Sequence, residues 1–286
     1  MFTAKIENAS GDMLTLTGNE PVYQVIKITG LNPPHAQINT TSIVGLDGAR
    51  FNSAKLNSRN IVLTVKINGD VETNRLNLYR YFRTKEPCTF YYTNDTLDVS
   101  INGYVENVEC DLFTNNELAQ ISIICLYPYF KSISQVIADS SNVLGLFVFP
   151  FSINADEPIA FSSLQTNGDI EVYNASESET GALIDITVKN SVNTIQINDV
   201  VSGDTLTLAY SFIAGDKISI NTNKGQKSIS LIRNGLITNI FSALQQGSTF
   251  FQLMSGRNLF EYTTNGVSAS NDILILFRFY NVYRGV

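Results

Sequence analysis

Hydrophobic and polar positions alternate with a period of two over most of this chain. Ile61, Leu63, Val65 and Ile67 interleave with Val62, Thr64, Lys66 and Asn68, the pattern of a half-buried strand. Leu97, Val99 and Ile101 interleave with Asp98, Ser100 and Asn102 in the same way, and Gln120 to Cys125 predicts another strand, ending before Pro128. The run Cys88-Thr89-Phe90-Tyr91-Tyr92 comes before Leu97, and Thr93-Asn94-Asp95 between them reads as a hairpin turn. One segment breaks the period. From about Val71 to Lys85, Leu78, Tyr79 and Phe82 fall at helical spacing. Asp70 and Glu72 at its start and Arg80, Arg83 and Lys85 at its end match the helix dipole. Glu86-Pro87 stops it, because the residue before proline avoids the helical region. Strand, helix, strand in that order predicts an α+β first half.

The pattern lapses from Phe147 to Ser162, where Pro150 and Pro158 bracket Asn154-Ala155-Asp156-Glu157. Beyond this connector, short alternating segments resume: Ile170 and Val172, Ile184 to Val188, Ile195 and Ile197, Leu206 to Phe212, Ile218 and Ile220, and on to Ile273, Ile275, Phe277 and Phe279. Gly203-Asp204 and Gly215-Asp216 read as turns that open strands. Short strands at this spacing predict a sandwich or jelly roll. The expected fold class is therefore mainly β: a barrel-like or sandwich-like amino-terminal domain with one helix over residues 1–147, a connector over 148–164, and a β-sandwich over 165–286.

The length of 286 residues agrees with two domains. The formal net charge of −7 is spread evenly, with 11 cations and 14 anions in residues 1–147 and 8 and 12 in the remainder. Neither half carries the basic footprint of a nucleic-acid binder. Eight of the nineteen cations fall between Arg50 and Lys85, but Asp47, Asp70, Glu72 and Glu86 are mixed among them, which reads as a solvated or subunit-contacting face. No run approaches the roughly 18 apolar residues of a membrane helix, and no charged-then-apolar leader opens the chain. A protein made in a cytosol, soluble and with no membrane partner, is expected.

Candidate chemistry is sparse. The single histidine, His35, follows Pro33-Pro34 in a loop, so neither a histidine-rich metal cage nor a second catalytic triad is available. Phosphate-cradling GxxxxGK[ST] and GxGxxG motifs and the GxSxG elbow are absent. Cys88, Cys110 and Cys125 are odd in number, lack CxxC spacing and sit in apolar stretches, as small hydrophobes do. Asp156-Glu157 is the most visible carboxylate pair, but it lies in the connector. Glu106, Glu109 and Asp111 lack the tight glycine turn that a calcium loop needs. No enzyme activity, metal or cofactor is expected. Carbohydrate binding by the second domain is the alternative, though the chain has no Trp platform and its 13 Tyr and 17 Phe mostly alternate into strand cores.

Residues 33–92 carry a resemblance. Pro33-Pro34-His35-Ala36-Gln37-Ile38-Asn39-Thr40-Thr41, Gly45-Leu46-Asp47-Gly48, Phe51-Asn52-Ser53-Ala54-Lys55, Arg59-Asn60-Ile61-Val62-Leu63 and Asn74-Arg75-Leu76-Asn77-Leu78-Tyr79-Arg80-Tyr81-Phe82 resemble the distal tail protein family of long-tailed bacteriophages of Gram-positive hosts. Gly103-Tyr104-Val105-Glu106, Asp111-Leu112-Phe113 and Pro128-Tyr129-Phe130 continue the likeness. Gly215 to Thr222, Gly225 to Ile229 and Ser248 to Asn258 are similar to its carboxy-terminal, galectin-like domain. The resemblance implies a homo-hexameric ring at the tail tip of the virion, made in the host bacterial cytoplasm. The ring joins the tail tube protein to a hub or tail-fibre protein and a receptor-binding protein, with no sequence-specific nucleic-acid contact. It also implies a ring-forming belt hairpin that reaches the neighbouring subunit, placed near 33–59, with Asn39, Thr40, Asp47, Phe51, Arg59 and Lys66 as candidate subunit contacts.

Overall fold

The strand predicted at Ile61–Ile67 begins two residues earlier, at Arg59, and the same alternation that buries Ile61, Leu63, Val65 and Ile67 turns Arg59 inward with them. The computed structural model describes residues 2–45, 47–111, 117–140, 142–145, 162–165, 169–268 and 271–286, with backbone alone for 142–145, 162–165 and 268. It divides into two units, Met1–Ile133 with Val282–Val286, and Ser134–Asn281. Most of the expected connector 148–164, with Asp156-Glu157, lies outside the described residues.

In the first unit the strands are β1 (Thr3–Glu7), β2 (Met13–Leu16), β3 (Tyr23–Thr29), β4 (Ala36–Thr41), β5 (Arg50–Leu56), β6 (Arg59–Ile67), β7 (Pro87–Thr93), β8 (Asp98–Cys110), β9 (Leu118–Cys125) and β10 (Phe130–Ser132). Seven form an antiparallel path β2-β1-β7-β8-β9-β6-β3. Its ends meet where Thr17 bridges Gln24 and the Val25 N–H donates to the Thr17 carbonyl, so the sheet curls around one core. That core holds Ile6, Leu16, Leu63, Phe90, Ile121 and Phe130, among others. The turn predicted after Thr93 is present: the Asn94 side-chain oxygen accepts from the Thr96 and Leu97 N–H groups.

The one α-helix among the described residues, α1, spans Val71–Tyr81. Asp70 caps it, accepting from the Thr73 hydroxyl at 2.8 Å. It ends a turn before the expected Lys85. Lys85 takes a positive φ of 71° and gives its N–H to the Val105 carbonyl, so the chain leaves the helical path to join the sheet. Tyr23 pins the helix to β3 by donating to the Asn74 carbonyl at 2.8 Å.

The second unit is a two-sheet sandwich. Its strands are β11 (Val136–Asp139), β12 (Asn142–Gly145), β13 (Ser162–Gln165), β14 (Asp169–Asn174), β15 (Leu183–Val188), β16 (Val192–Asp199), β17 (Thr205–Phe212), β18 (Lys217–Asn221), β19 (Ser228–Arg233), β20 (Leu236–Asn239), β21 (Gly256–Thr264), β22 (Val267–Ser268) and β23 (Ile273–Phe279). One sheet runs β11-β23-β15-β18-β19-β20; the other runs β14-β21-β16-β17 with β22 beside β21, and β12 pairs with β13. Inward residues from both main sheets make one core, in which the Phe260 ring stacks on Phe277 and meets Phe251 at a tilt, each at 4.8 Å. The mainly β class with one helix is thus what the structure shows. The last strand, β24 (Val282–Tyr283), follows the sandwich in sequence but pairs with β10 of the first unit.

The sandwich also holds an ion pair, buried on its Asp216 side and half-exposed at Arg233, that fixes the turn expected at Gly215-Asp216. Asp216 is 1% exposed, accepts from Arg233 at 2.8 and 2.6 Å and from the Ile213 N–H at 2.9 Å. These donors hold its carboxyl below the usual carboxylate range, the Arg233 hydrogen bonds contributing most. A depressed folded-state pKa stabilises above the unfolded carboxylate pKa, and the contribution is lost as pH falls through the folded one. Asp216→Ala is therefore expected to cost this unit about 2–3 kcal/mol at neutral pH. In acid melts its difference from the native chain should vanish as the carboxyl protonates. A pH-independent difference would show that packing, not charge, is lost.

Candidate assembly interface

Strands β4 and β5 form a two-stranded sheet of their own. Every residue of β4 is exposed, as are all of β5 except Leu56, which is half-buried. Residues directly opposite on an antiparallel pair share a face. The pairs Ala36–Leu56, Ile38–Ala54 and Thr40–Phe51 therefore put Ala36, Ile38, Ala54, Phe51, Leu56 and the Thr40 methyl on one side. Gln37, Asn39, Thr41, Arg50, Ser53 and Lys55 take the other. The polar side is internally bonded: Asn39 donates to the Ser53 hydroxyl at 3.0 Å, and Asn52 donates to the Thr41 hydroxyl at 2.7 Å. The apolar side has no cover among the described residues; Ile38 and Phe51 are 61% and 62% exposed. Val44, in the loop that joins the strands, is fully exposed. A lone hairpin is at best marginally stable in water, and an exposed apolar strand pair is a template for association.

Of the six expected contact residues, four lie on the arm or its tip, Lys66 lies on the barrel and Arg59 lies inside it. Asn39 lies on the polar face, Thr40 and Phe51 face each other on the apolar one, and Asp47 is exposed in the tip loop. Lys66 stands away from the arm, half-buried near the far end of β6, where it pairs with Gln24 and Leu118. Arg59 is inside: 3% exposed, with its guanidinium 4.6 Å above the Phe130 ring. It donates to the carbonyls of Pro128 at 2.9 Å, Asn32 at 2.7 Å, Gly30 and Arg284. Burial lowers its pKa, and those carbonyls compensate for the lost water. Gly30 makes room for this arrangement. Its φ is 85°, and a Cβ there would meet the Asn60 carbonyl oxygen at 2.0 Å. Ile38, Ala36, Ala54 and Leu56 were missed as contact candidates, although Ala36, Ile38 and Thr40 alternate with Gln37, Asn39 and Thr41.

The remaining chemistry is quiet. Burial pushes the Cys88 thiol up to about 12 and the Cys125 thiol to about 11, so both are poor nucleophiles at neutral pH. Glu106 accepts from Ser122 and Glu109 from Asn107; among the described residues no cluster of His, Cys, Asp and Glu is built to hold a metal. His35 is exposed, and its carbonyl accepts from the Asn57 N–H. The sandwich has a shallow hollow of about 360 Å³ on the outer face of its six-stranded sheet, where Arg278 pairs with Asp185 and Ser219 donates to Asp185 at 2.9 Å. Its described lining holds no aromatic side chain.

Two family models match the chain: the phage tail protein RIFT-related domain over residues 19–125, and the siphovirus-type tail component, C-terminal domain, over residues 175–278. The chain belongs to the siphophage distal tail family. Its fold is similar to that of SPP1 Dit (gp 19.1), described as a paradigm of the hub adsorption apparatus in phages that infect Gram-positive hosts. The TM-score is 0.68 at 16% identity over 97% of this chain and 98% of that one. It is also similar to a chain of the phage P2 baseplate in its activated conformation with calcium, with a TM-score of 0.51 at 11% identity over 97% and 98%. No curated protein matches it. The distal tail family is a structural component of phage tails, and tail and baseplate components belong to the virion.

Proposed function

We propose that this distal tail protein forms a closed ring of six copies at the tip of a phage tail, each copy lending its β4–β5 arm to the next. The carrying observation is the arm's apolar face, exposed on a barrel whose own core is complete. A patch that fits a different surface on the next copy makes a heterologous contact, and such contacts close into a ring when the rotation allows. The ring joins the tail tube protein on one side to a hub or tail-fibre protein and a receptor-binding protein on the other. It is made in the host cytoplasm and has no catalytic step. Asn39, Thr40, Asp47 and Phe51, together with Ile38, are the contact residues proposed; Lys66 belongs to the barrel surface that a neighbouring copy approaches.

Light scattering after size exclusion tests this directly. The expected mass is six times 31.6 kDa or a multiple of it, with sixfold rings and a central hole in negative-stain images. A monomer that persists at high concentration would sink the proposal.

A further inference from the structure

The segment that follows the sandwich passes the root of the arm. Val282 and Tyr283 pair with Lys131 and Phe130 as β24. The next residue, Arg284, gives its carbonyl to the Arg59 guanidinium. Gly285 then lies against Pro33 so closely that a Cβ would stand 2.8 Å from the proline Cδ and 3.0 Å from its nitrogen. The Val286 N–H donates to the Leu31 carbonyl at 3.1 Å, and its side chain packs on the barrel core. Leu31 to Pro33 is the stretch that leads into β4. The other leg is tied as well: the Asn57 N–H, just past β5, donates to the His35 carbonyl at 3.2 Å.

We infer that Val282–Val286 is a strap that sets the angle at which the arm leaves the barrel, and that assembly depends on it. The inference rests on the arm reading of the preceding section. A six-residue strand extends roughly 20 Å, so a tilt of about 10° at its root moves the tip by about 3–4 Å. Dispersion contacts lose a quarter to a half of their depth over a gap of only about 0.5–1 Å. A hairpin with a loose root would therefore search many directions and meet its neighbour in few. Arg59 and the strap hold the same four-residue stretch at alternate positions, Arg59 through the Gly30 and Asn32 carbonyls and the strap through Leu31 and Pro33.

The test uses the full chain carrying Gly285→Val, which places a branched side chain where Pro33 Cδ already lies. The expected result is loss of the six-copy mass while the barrel stays folded. Amide exchange at Asn57 should rise at least tenfold, with Ile61, Leu63 and Val65 of β6 unchanged. Adding Pro33→Ala removes the nearest clashing atom but leaves the backbone nitrogen at 3.0 Å and the Leu31 carbonyl oxygen at 3.2 Å, so it should restore assembly in part. Two outcomes overturn the strap: a Gly285→Val chain that assembles like the native one, or one whose β6 amides lose protection together with assembly. A native chain that is itself a monomer would sink the arm reading instead, and the Asn57 exchange rate of Gly285→Val would still decide the strap.

Discussion

Arg59→Met is expected to destabilise the first unit by about 3–5 kcal/mol, the sum of leaving several buried carbonyls without a donor. Methionine keeps the volume and the contact with the Phe130 ring, so the loss is not one of packing. What goes is a fork of N–H donors aimed at four carbonyls, those of Gly30, Asn32, Pro128 and Arg284. Each acceptor left dry costs about 1–3 kcal/mol. The carbonyls come from three separate stretches of chain, and no neighbouring N–H can replace a guanidinium that reaches all of them. Arg59→Lys should fall between the two, because an ammonium is a point charge that reaches only some of the acceptors. Calorimetry of the full chain should show the barrel transition moving down by roughly 10 °C or more, with the sandwich transition in place. A methionine variant within about 1 kcal/mol of the native chain would mean that water already serves those carbonyls.

How much of this was legible depends on which force decided each element. The barrel and sandwich strands were readable because alternation records burial directly, as at Ile61 to Ile67 and Ile273 to Phe279. The start of α1 was readable from Asp70, but its end was not, because Lys85 leaves the helix for a tertiary hydrogen bond to Val105. Arg59 shows a sharper lesson. Its charge suggested a surface contact, while its phase with Ile61, Leu63 and Val65 placed it inside. The phase decided the outcome because four carbonyls and an aromatic ring were waiting there. The segment 33–59 looks polar in sequence because Asn, Gly and Ser are frequent in it. The β4 half of its apolar face alternates in the sequence, but Phe51 joins that face only once the register pairs it with Thr40 across the bulge that follows Asn39. Nothing local marks residues 282–286 as part of the barrel. Their pairing with β10 spans roughly half the chain, and such contacts leave no trace in local pattern.

Charging the apolar side of the arm is expected to have the largest effect of any change outside the cores. In an Ile38→Asp, Phe51→Asp double variant, each interface would lose two large apolar side chains, worth about 1.5–3 kcal/mol apiece when fully buried. It would also have to desolvate two carboxylates, at several kcal/mol each. Even the apolar loss alone weakens each contact by at least a hundredfold, since about 1.4 kcal/mol is a factor of ten. A ring repeats that penalty at every contact, so the mass should fall to that of one chain at micromolar concentration. The barrel should melt as before, because neither residue belongs to its core and both are already open to water. Gln37→Asp on the opposite face is the matched control. It adds one of the same charges to the same strand and should leave the assembly standing. If the control dissociates as readily as the double variant, added negative charge rather than lost apolar contact is responsible, and the neighbour must meet the arm's polar side.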